Sequence, residues 1–125
     1  MASLPAGGLV LSISQPTGEV PDAPCVVALA GRLDAGSQAA AEHFLEDVVA
    51  KGSHRVVLDC AGLEFISSAG VRALLTLVKR VKPLGGAVSV CAARPHVRQL
   101  LEFSGLKALL SISSTVEEGC AALAR

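Results

Sequence analysis

The sequence predicts an α/β fold with a mixed, mostly parallel, five-stranded sheet and four helices. Short apolar runs of the kind that form buried strands alternate with segments in which apolar residues recur every three or four positions, as on one helix face. From the second strand onward, strand and helix alternate strictly, which favours parallel strands joined by right-handed crossovers. The chain has 125 residues, of which 51% are hydrophobic, so its length suits one domain with a substantial core.

The strands are predicted from apolar or alternating runs that are separated by turn residues. In the first run, Leu9, Leu11 and Ile13 alternate with polar positions, and a segment with three prolines follows it. We therefore expect the first two strands to be antiparallel. The predicted strands are residues 9–14, 25–29, 56–60, 87–91 and 109–112. Residues 1–8 are small and include Gly and Pro, which indicates a flexible N-terminal tail before a domain of residues 9–125.

Each helix is predicted from an apolar face together with residues that start helices. Asp34 is expected to cap the first helix. The second helix begins at Ser67 or Ser68, and the fourth follows a capping box formed by Ser114 and Glu117. The predicted helices are residues 35–51, residues 67 or 68 to 82, residues 95–104, and the segment from the capping box to residue 125.

Composition and charge exclude several classes of function. The formal net charge is zero, Trp and Tyr are absent, and no Lys/Arg cluster occurs, so we expect no direct binding of nucleic acid. No apolar run reaches the roughly 18–20 residues that cross a bilayer, so direct membrane insertion is not expected. The N-terminus has no signal-peptide pattern, and the four widely spaced cysteines are predicted to be reduced. These observations predict a cytoplasmic protein.

The sequence contains none of the motifs that bind nucleotides or present a hydrolase nucleophile. His43, His54 and His96 lie in unrelated segments, and none has metal-ligand spacing with another His, Cys or acidic residue. We therefore expect that the chain is not an enzyme and that it holds no metal or other cofactor.

One stretch places two adjacent serines between a strand and a helix. The apolar run 56–60 ends near Asp59, a turn is predicted at residues 61–62, and the segment 65–70 reads Phe-Ile-Ser-Ser-Ala-Gly before an apolar helix face. This stretch, together with the Gly-Arg-Leu-Asp corner at residues 31–34, resembles the STAS domain family and in particular the bacterial anti-sigma-factor antagonists. The predicted order of elements also matches a single STAS domain, so the resemblance covers nearly the whole chain.

The resemblance implies a binding protein that is controlled by phosphorylation. In this family a Ser or Thr at the start of the helix is phosphorylated by a partner kinase, and the motif places that acceptor at Ser68. The implied function is antagonism of an anti-sigma factor: the unphosphorylated form binds an anti-sigma-factor serine kinase and frees the sigma factor. Phosphorylation of Ser68 would switch this binding off, and a serine phosphatase would restore it.

The residues implied at the partner surface surround Ser68. They are Asp34, Ser67, Ser68, Ala69, Gly70 and Arg72. Many family members have Asp immediately before the acceptor, where this chain has Ser67, which either caps the helix or is itself a second candidate acceptor. Ala69 and Gly70 either admit a partner's backbone or allow the helix to pack tightly on a strand. Asp34 is expected to combine its capping role with a place near Ser68.

Several alternatives stay open at this point. A STAS domain can also serve as a constitutive subunit that docks on the ATPase of a lipid transporter, or as a nucleotide-binding sensor module. Arg32 and Arg72 lie near the two motifs and are candidates for contact with acidic groups of a partner, with ordinary solvated charge as the other interpretation. Arg94 and His96 follow the fourth predicted strand and are further candidates for the border of the same surface.

Overall fold

A computed structural model describes residues 3–6, 8–15 and 24–123, and within these ranges six strands form one sheet. Each strand lies beside its neighbours in sequence. The strands are β1 (Ser3–Ala6), β2 (Leu9–Gln15), β3 (Cys25–Leu33), β4 (Arg55–Ile66), β5 (Ala87–Cys91) and β6 (Ser111–Ser113), in the spatial order β1-β2-β3-β4-β5-β6. The α-helices are α1 (Gln38–Ala50), α2 (Ser68–Val81), α3 (Pro95–Phe103) and α4 (Val116–Leu123), and short 3₁₀ helices lie at Lys82–Leu84 and Leu106–Ala108.

The strand directions confirm the predicted mixed, mostly parallel sheet. β1 pairs with β2, and β2 with β3, in antiparallel orientation, whereas β3, β4, β5 and β6 are parallel. The five predicted strands and the four predicted helices are all present. β1 is an additional strand inside the segment that was predicted as a tail. It pairs with β2 along its whole length, which gives the outer backbone groups of β2 hydrogen-bond partners.

Helices cover both faces of the sheet. The main core lies between the sheet and helices α1, α2 and α3, and a smaller cluster lies under α4 on the other face. The largest helical contributors to the main core include Phe44, Leu45, Leu74, Leu77 and Leu101. The smaller cluster comprises Val26, Val57, Cys91 and Leu123. Burial of these apolar side chains fixes the helices against the two faces of the sheet.

Strand β4 is longer than predicted, because the chain does not turn at Ala61–Gly62. The strand continues to Ile66, and its pairing with β3 shifts register twice, each time by one extra residue in β4. These are β-bulges, which lengthen one strand relative to its neighbour. Gly62 lies so close to β3 that an added Cβ would be 3.0 Å from the Cβ of Ala30. The predicted turn is therefore wrong, and the small residues that suggested it serve a bulge and a close strand contact.

The N-terminus of α4 is capped one residue later than predicted. The hydroxyl of Thr115 accepts a hydrogen bond from the Glu118 backbone N–H at 3.1 Å. The Glu118 carboxylate accepts one from the Ser114 backbone N–H, also at 3.1 Å. The pair is thus Thr115 and Glu118, since α4 begins at Val116.

Candidate functional site

The two sequence motifs meet at the carboxyl edge of the sheet. β3 ends at Leu33 and β4 ends at Ile66, and these two residues are paired in the sheet. The backbone N–H of Ser67 then donates to the carbonyl oxygen of Leu33 at 3.0 Å. Because α2 begins at Ser68, this serine lies directly after the paired ends of two central parallel strands. The carboxyl ends of parallel strands are where α/β sheets commonly bind ligands.

The two adjacent serines have different surroundings. Ser67 is the N-cap of α2: its backbone is extended, with φ −105° and ψ 179°, and its half-buried hydroxyl accepts a hydrogen bond from Gly70 N–H at 3.4 Å. Ser68 is the first residue of α2 and is exposed. Within the described residues the Ser68 hydroxyl makes no hydrogen bond. The local structure therefore uses Ser67 as the cap and leaves the Ser68 hydroxyl accessible.

Gly70 is buried against the end of β3 and is not part of the surface. A Cβ at this position would collide with the carbonyl oxygen of Leu33 and would lie 2.7 Å from Cγ1 of Ile66. Only glycine fits such a close approach of helix to strand. This corrects the expectation that Gly70 faces a partner, since tight packing accounts for it. Ala69 beside it is half-buried and stays a candidate for partner contact.

Asp34 shapes the corner between β3 and α1 but does not cap the helix, so the predicted cap is wrong. α1 begins at Gln38, and the residue at its N-cap position is Ser37. The Asp34 carboxylate instead accepts from the backbone N–H of Gly36 at 3.0 Å. The fully buried Ser37 hydroxyl donates to the carbonyl of Arg32 at 2.9 Å and accepts from the Asp34 N–H at 3.1 Å. These bonds hold the corner in a compact turn beside Ser67.

Arg32, Asp34 and Phe65 form a connected surface group next to this corner. Arg32 and Phe65 are paired across β3 and β4, and the guanidinium lies 4.3 Å from the centre of the aromatic ring. Arg32 Nε also lies 3.5 Å from an Asp34 carboxylate oxygen. Phe65 is 36% exposed. Sequence reasoning used Phe65 only to align the motif and missed it as a surface residue, although its alternation with the buried Ile66 was the available signal.

The other basic candidates for the partner surface lie on α2 and at the start of α3. Arg72 is exposed on α2, one helical turn after Ser68, and it makes no ion pair with the described acidic residues. Arg94 and His96 lie at the start of α3 and hydrogen-bond to backbone carbonyls of β4. The structure thus brings Asp34, Ser67, Ser68, Ala69 and Arg72 to one edge of the domain.

The remaining polar groups do not assemble into a second chemical site. Across the described ranges, no group of three or more His, Cys, Asp or Glu residues could hold a metal ion. All four cysteines are free thiols, and burial raises the pKa of each above its ordinary value, most strongly for Cys60. Cys91 ends β5 and Cys60 lies within β4, and the two residues belong to different core clusters. No helix in residues 24–123 has the length and apolar composition needed to span a membrane.

The profile of one known domain family matches the sequence over a range that includes both motifs. That profile is the STAS domain, and the match extends over residues 15–119. The chain belongs to the STAS domain family. BtrV of Bordetella bronchiseptica, named as a candidate anti-sigma factor antagonist, is 34% identical over 101 residues, which cover 81% of this chain and 87% of BtrV.

Solved structures that include anti-sigma factor antagonists share the fold of this chain. The crystal structure of an anti-sigma factor antagonist from Mycobacterium paratuberculosis has a TM-score of 0.77, with 23% identity and 98% of each chain covered. The anti-sigma factor antagonist SpoIIAA in its unphosphorylated form has a TM-score of 0.74, with 20% identity over 90% of this chain and 95% of that chain. Bacillus SpoIIAA in its phosphorylated form has a TM-score of 0.66 at 20% identity, over 90% and 98% of the two chains.

Proposed function

We propose that this STAS domain is an anti-sigma-factor antagonist whose partner choice is set by phosphorylation of Ser68. The unphosphorylated form binds an anti-sigma-factor serine kinase in the cytoplasm and thereby frees the sigma factor. The kinase transfers the γ-phosphoryl group of ATP to the Ser68 hydroxyl, and the phosphorylated form releases the kinase. A serine phosphatase restores the unphosphorylated form. In this cycle the chain is a regulatory ligand and a substrate, and the catalytic groups belong to its partners.

The observation that carries the proposal is the exposed Ser68 hydroxyl beside a neighbouring serine that is committed to capping. Phosphoryl transfer requires an oxygen nucleophile that another protein's active site can reach. Ser68 meets this requirement, whereas the Ser67 oxygen is half-buried and accepts the Gly70 N–H. The name of BtrV and the two SpoIIAA structures, one unphosphorylated and one phosphorylated, support the same function.

A phosphate on Ser68 should affect the partner far more than the fold. The first turn of α2 offers backbone N–H groups and a partial positive charge, so an anion there is tolerated or stabilising by about 0.3–1 kcal/mol. For a partner, however, the phosphate adds about −1.5 to −2 charges and a strongly hydrated group to a surface that must lose its water on binding. If this weakens the complex by about 3 kcal/mol, the affinity falls on the order of 100-fold, which is enough for a switch.

The proposal can be tested by incubating the protein with its cognate anti-sigma-factor kinase and ATP, and locating the phosphate by mass spectrometry. We expect one phosphate on Ser68 of the wild type and of Ser67→Ala, and none on Ser68→Ala. Affinity for the kinase, measured by calorimetry, should fall on the order of 100-fold after phosphorylation or in Ser68→Asp.

The matched pair of single-serine variants makes the outcome specific. Phosphate on Ser67, or full phosphorylation of Ser68→Ala, would contradict the assignment of the acceptor. Equal affinity of the wild type and Ser68→Asp for the kinase would contradict the switch, and would favour a STAS domain that acts as a constitutive subunit.

A further inference from the structure

Among the strands that the structure describes, the final part of β4 has a neighbour on one side only. β4 remains paired with β3 up to the contact between Leu33 and Ile66. Its pairing with β5, however, ends at the contact between Asp59 and Cys91. Residues 60–66 therefore present a strand edge toward the start of α3, and the backbone groups of such an edge need other partners.

Side chains take the place of the missing strand along this edge. The Asp59 carboxylate accepts from the Ala61 N–H at 3.1 Å. Arg94 Nε donates to the carbonyl of Ala61 at 3.3 Å, and His96 Nε2 lies 2.7 Å from the carbonyl of Glu64. A carbonyl oxygen only accepts hydrogen bonds, so Nε2 of His96 carries the proton in this contact. Arg94 and His96 thus bind two carbonyls that a longer β5 would otherwise face.

We propose that Arg94 and His96 are positioning residues for the Ser68 switch, an inference that rests on the proposed function. The edge that they bind leads without a break into Ser67, the cap of α2. On the opposite side, Ser67 N–H is bound to Leu33 of β3. Hydrogen bonds therefore hold the segment that leads into α2 on two sides: to the backbone of β3 on one side and to these two side chains on the other.

The bulges of β4 explain why a second support is needed. β4 carries two more residues than the stretch of β3 beside it, so the ladder does not bind every residue of this segment in regular register. A bulged segment without a strand on its other side is free to shift unless something else binds it. Small displacements of a reacting hydroxyl lower the rate of transfer steeply, because the reacting atoms must be aligned.

Both side chains are exposed, so the fold does not depend on them for its core. Water can replace their hydrogen bonds to the two carbonyls when they are removed. The inference therefore concerns the position of a local segment, and variants at these residues are expected to fold.

Amide hydrogen exchange of the unphosphorylated protein tests the positioning directly. In the double variant Arg94→Ala/His96→Phe, loss of two hydrogen bonds should speed exchange at residues 61–70 by on the order of tenfold, with little change elsewhere. The matched control is Arg98→Ala/His43→Phe, which removes an exposed Arg and an exposed His whose contacts are with Glu102 and Asp47. Unchanged exchange at residues 61–70 would overturn the proposal.

Phosphorylation kinetics with the anti-sigma-factor kinase test the effect on Ser68. A positioning role predicts that kcat falls on the order of tenfold while KM stays within about twofold. His96→Gln, which keeps an N–H donor, should recover most of the rate that His96→Phe loses. An increase in KM alone, or unchanged kinetics despite faster exchange, would overturn the role. If the wild type is not phosphorylated, the proposed function fails, while the exchange measurement still decides whether the two residues hold the segment.

Discussion

The two adjacent serines provide a sharp test, because the structure assigns them different roles at the same helix end. Ser67→Ala removes the hydroxyl that accepts the Gly70 N–H, and that N–H then lacks an intrahelical partner. Loss of a serine cap costs about 0.5–2 kcal/mol. The bond here is long, at 3.4 Å, so a free energy of unfolding lower by about 0.5–1 kcal/mol is expected.

Ser68→Ala should have a much smaller effect on stability. Ser68 is exposed, its hydroxyl has no hydrogen-bond partner among the described residues, and alanine has the higher helix propensity. The free energy of unfolding should therefore change by less than about 0.5 kcal/mol, and in the stabilising direction. Ser67→Asp is the control for the cap, because a carboxylate oxygen still accepts the N–H and its charge suits a helix N-terminus.

Thermal and urea unfolding of the four proteins, followed by circular dichroism, measure these differences. At about 4 °C per kcal/mol for a domain of this size, Ser67→Ala should melt roughly 2–4 °C below the wild type. Ser68→Ala and Ser67→Asp should melt at or slightly above it. A loss in Ser68→Ala equal to that in Ser67→Ala, or an unchanged Tm in Ser67→Ala, would refute the assignment of cap and free hydroxyl.

Two further predictions concern the packing of α2 and the thiols. Gly70→Ala should lower the free energy of unfolding, measured by urea denaturation, by about 1–3 kcal/mol, because the new Cβ collides with the rigid backbone of β3. The control is Gly36→Ala, whose new Cβ would lie 3.4 Å from the nearest atom, Oδ1 of Asp34, so the free energy of unfolding should change by less than about 0.5 kcal/mol. Equal stability of the two variants would contradict the close packing of Gly70. Native-state alkylation followed by mass spectrometry should modify Cys120 first, because it is the only one of the four thiols that is not buried. Burial raises the pKa of Cys120, so its rate should still be rising at about pH 10, where an unperturbed thiol with a pKa of about 8.5 is almost fully ionised and its rate has levelled off. Faster reaction at Cys60 would be inconsistent with the fold.

The local sequence pattern predicted the bounds of a strand or helix well where either burial of apolar residues or helix capping decided them. Strand β5 has the predicted bounds, 87–91, because a short run that is apolar except for Ser89 is buried on both faces and follows the turn at Gly85. The start of α2 at the serine pair was also predicted, since an apolar helix face follows a residue that can cap. These features depend on side chains close in sequence, and they are visible without a partner strand.

Predictions that depended on a neighbouring strand were less accurate. The turn at Ala61–Gly62 was wrong because small residues suit both a turn and a bulge, and only the register with β3 distinguishes them. Asp34 was misassigned as a cap because its carboxylate binds Gly36, two residues on, while α1 begins later at Gln38. In each case two local structures satisfy the same sequence, and packing against other elements selects one.

The sequence by itself determined the fold class, the position of a serine pair at the mouth of a helix, and the resemblance to STAS domains. These follow from apolar periodicity and from two short motifs, which are local properties of the chain. Only the tertiary structure decided that Ser67 caps α2 while Ser68 is exposed, that Gly70 is buried on β3, and that Arg94 and His96 bind the open edge of β4. The cap is a local contact between Ser67 and Gly70, and it could be assigned only once the first residue of α2 was known. The other two distinctions depend on distances between residues about 30 or more positions apart in the chain, which are set by how β3, β4, α2 and α3 pack together.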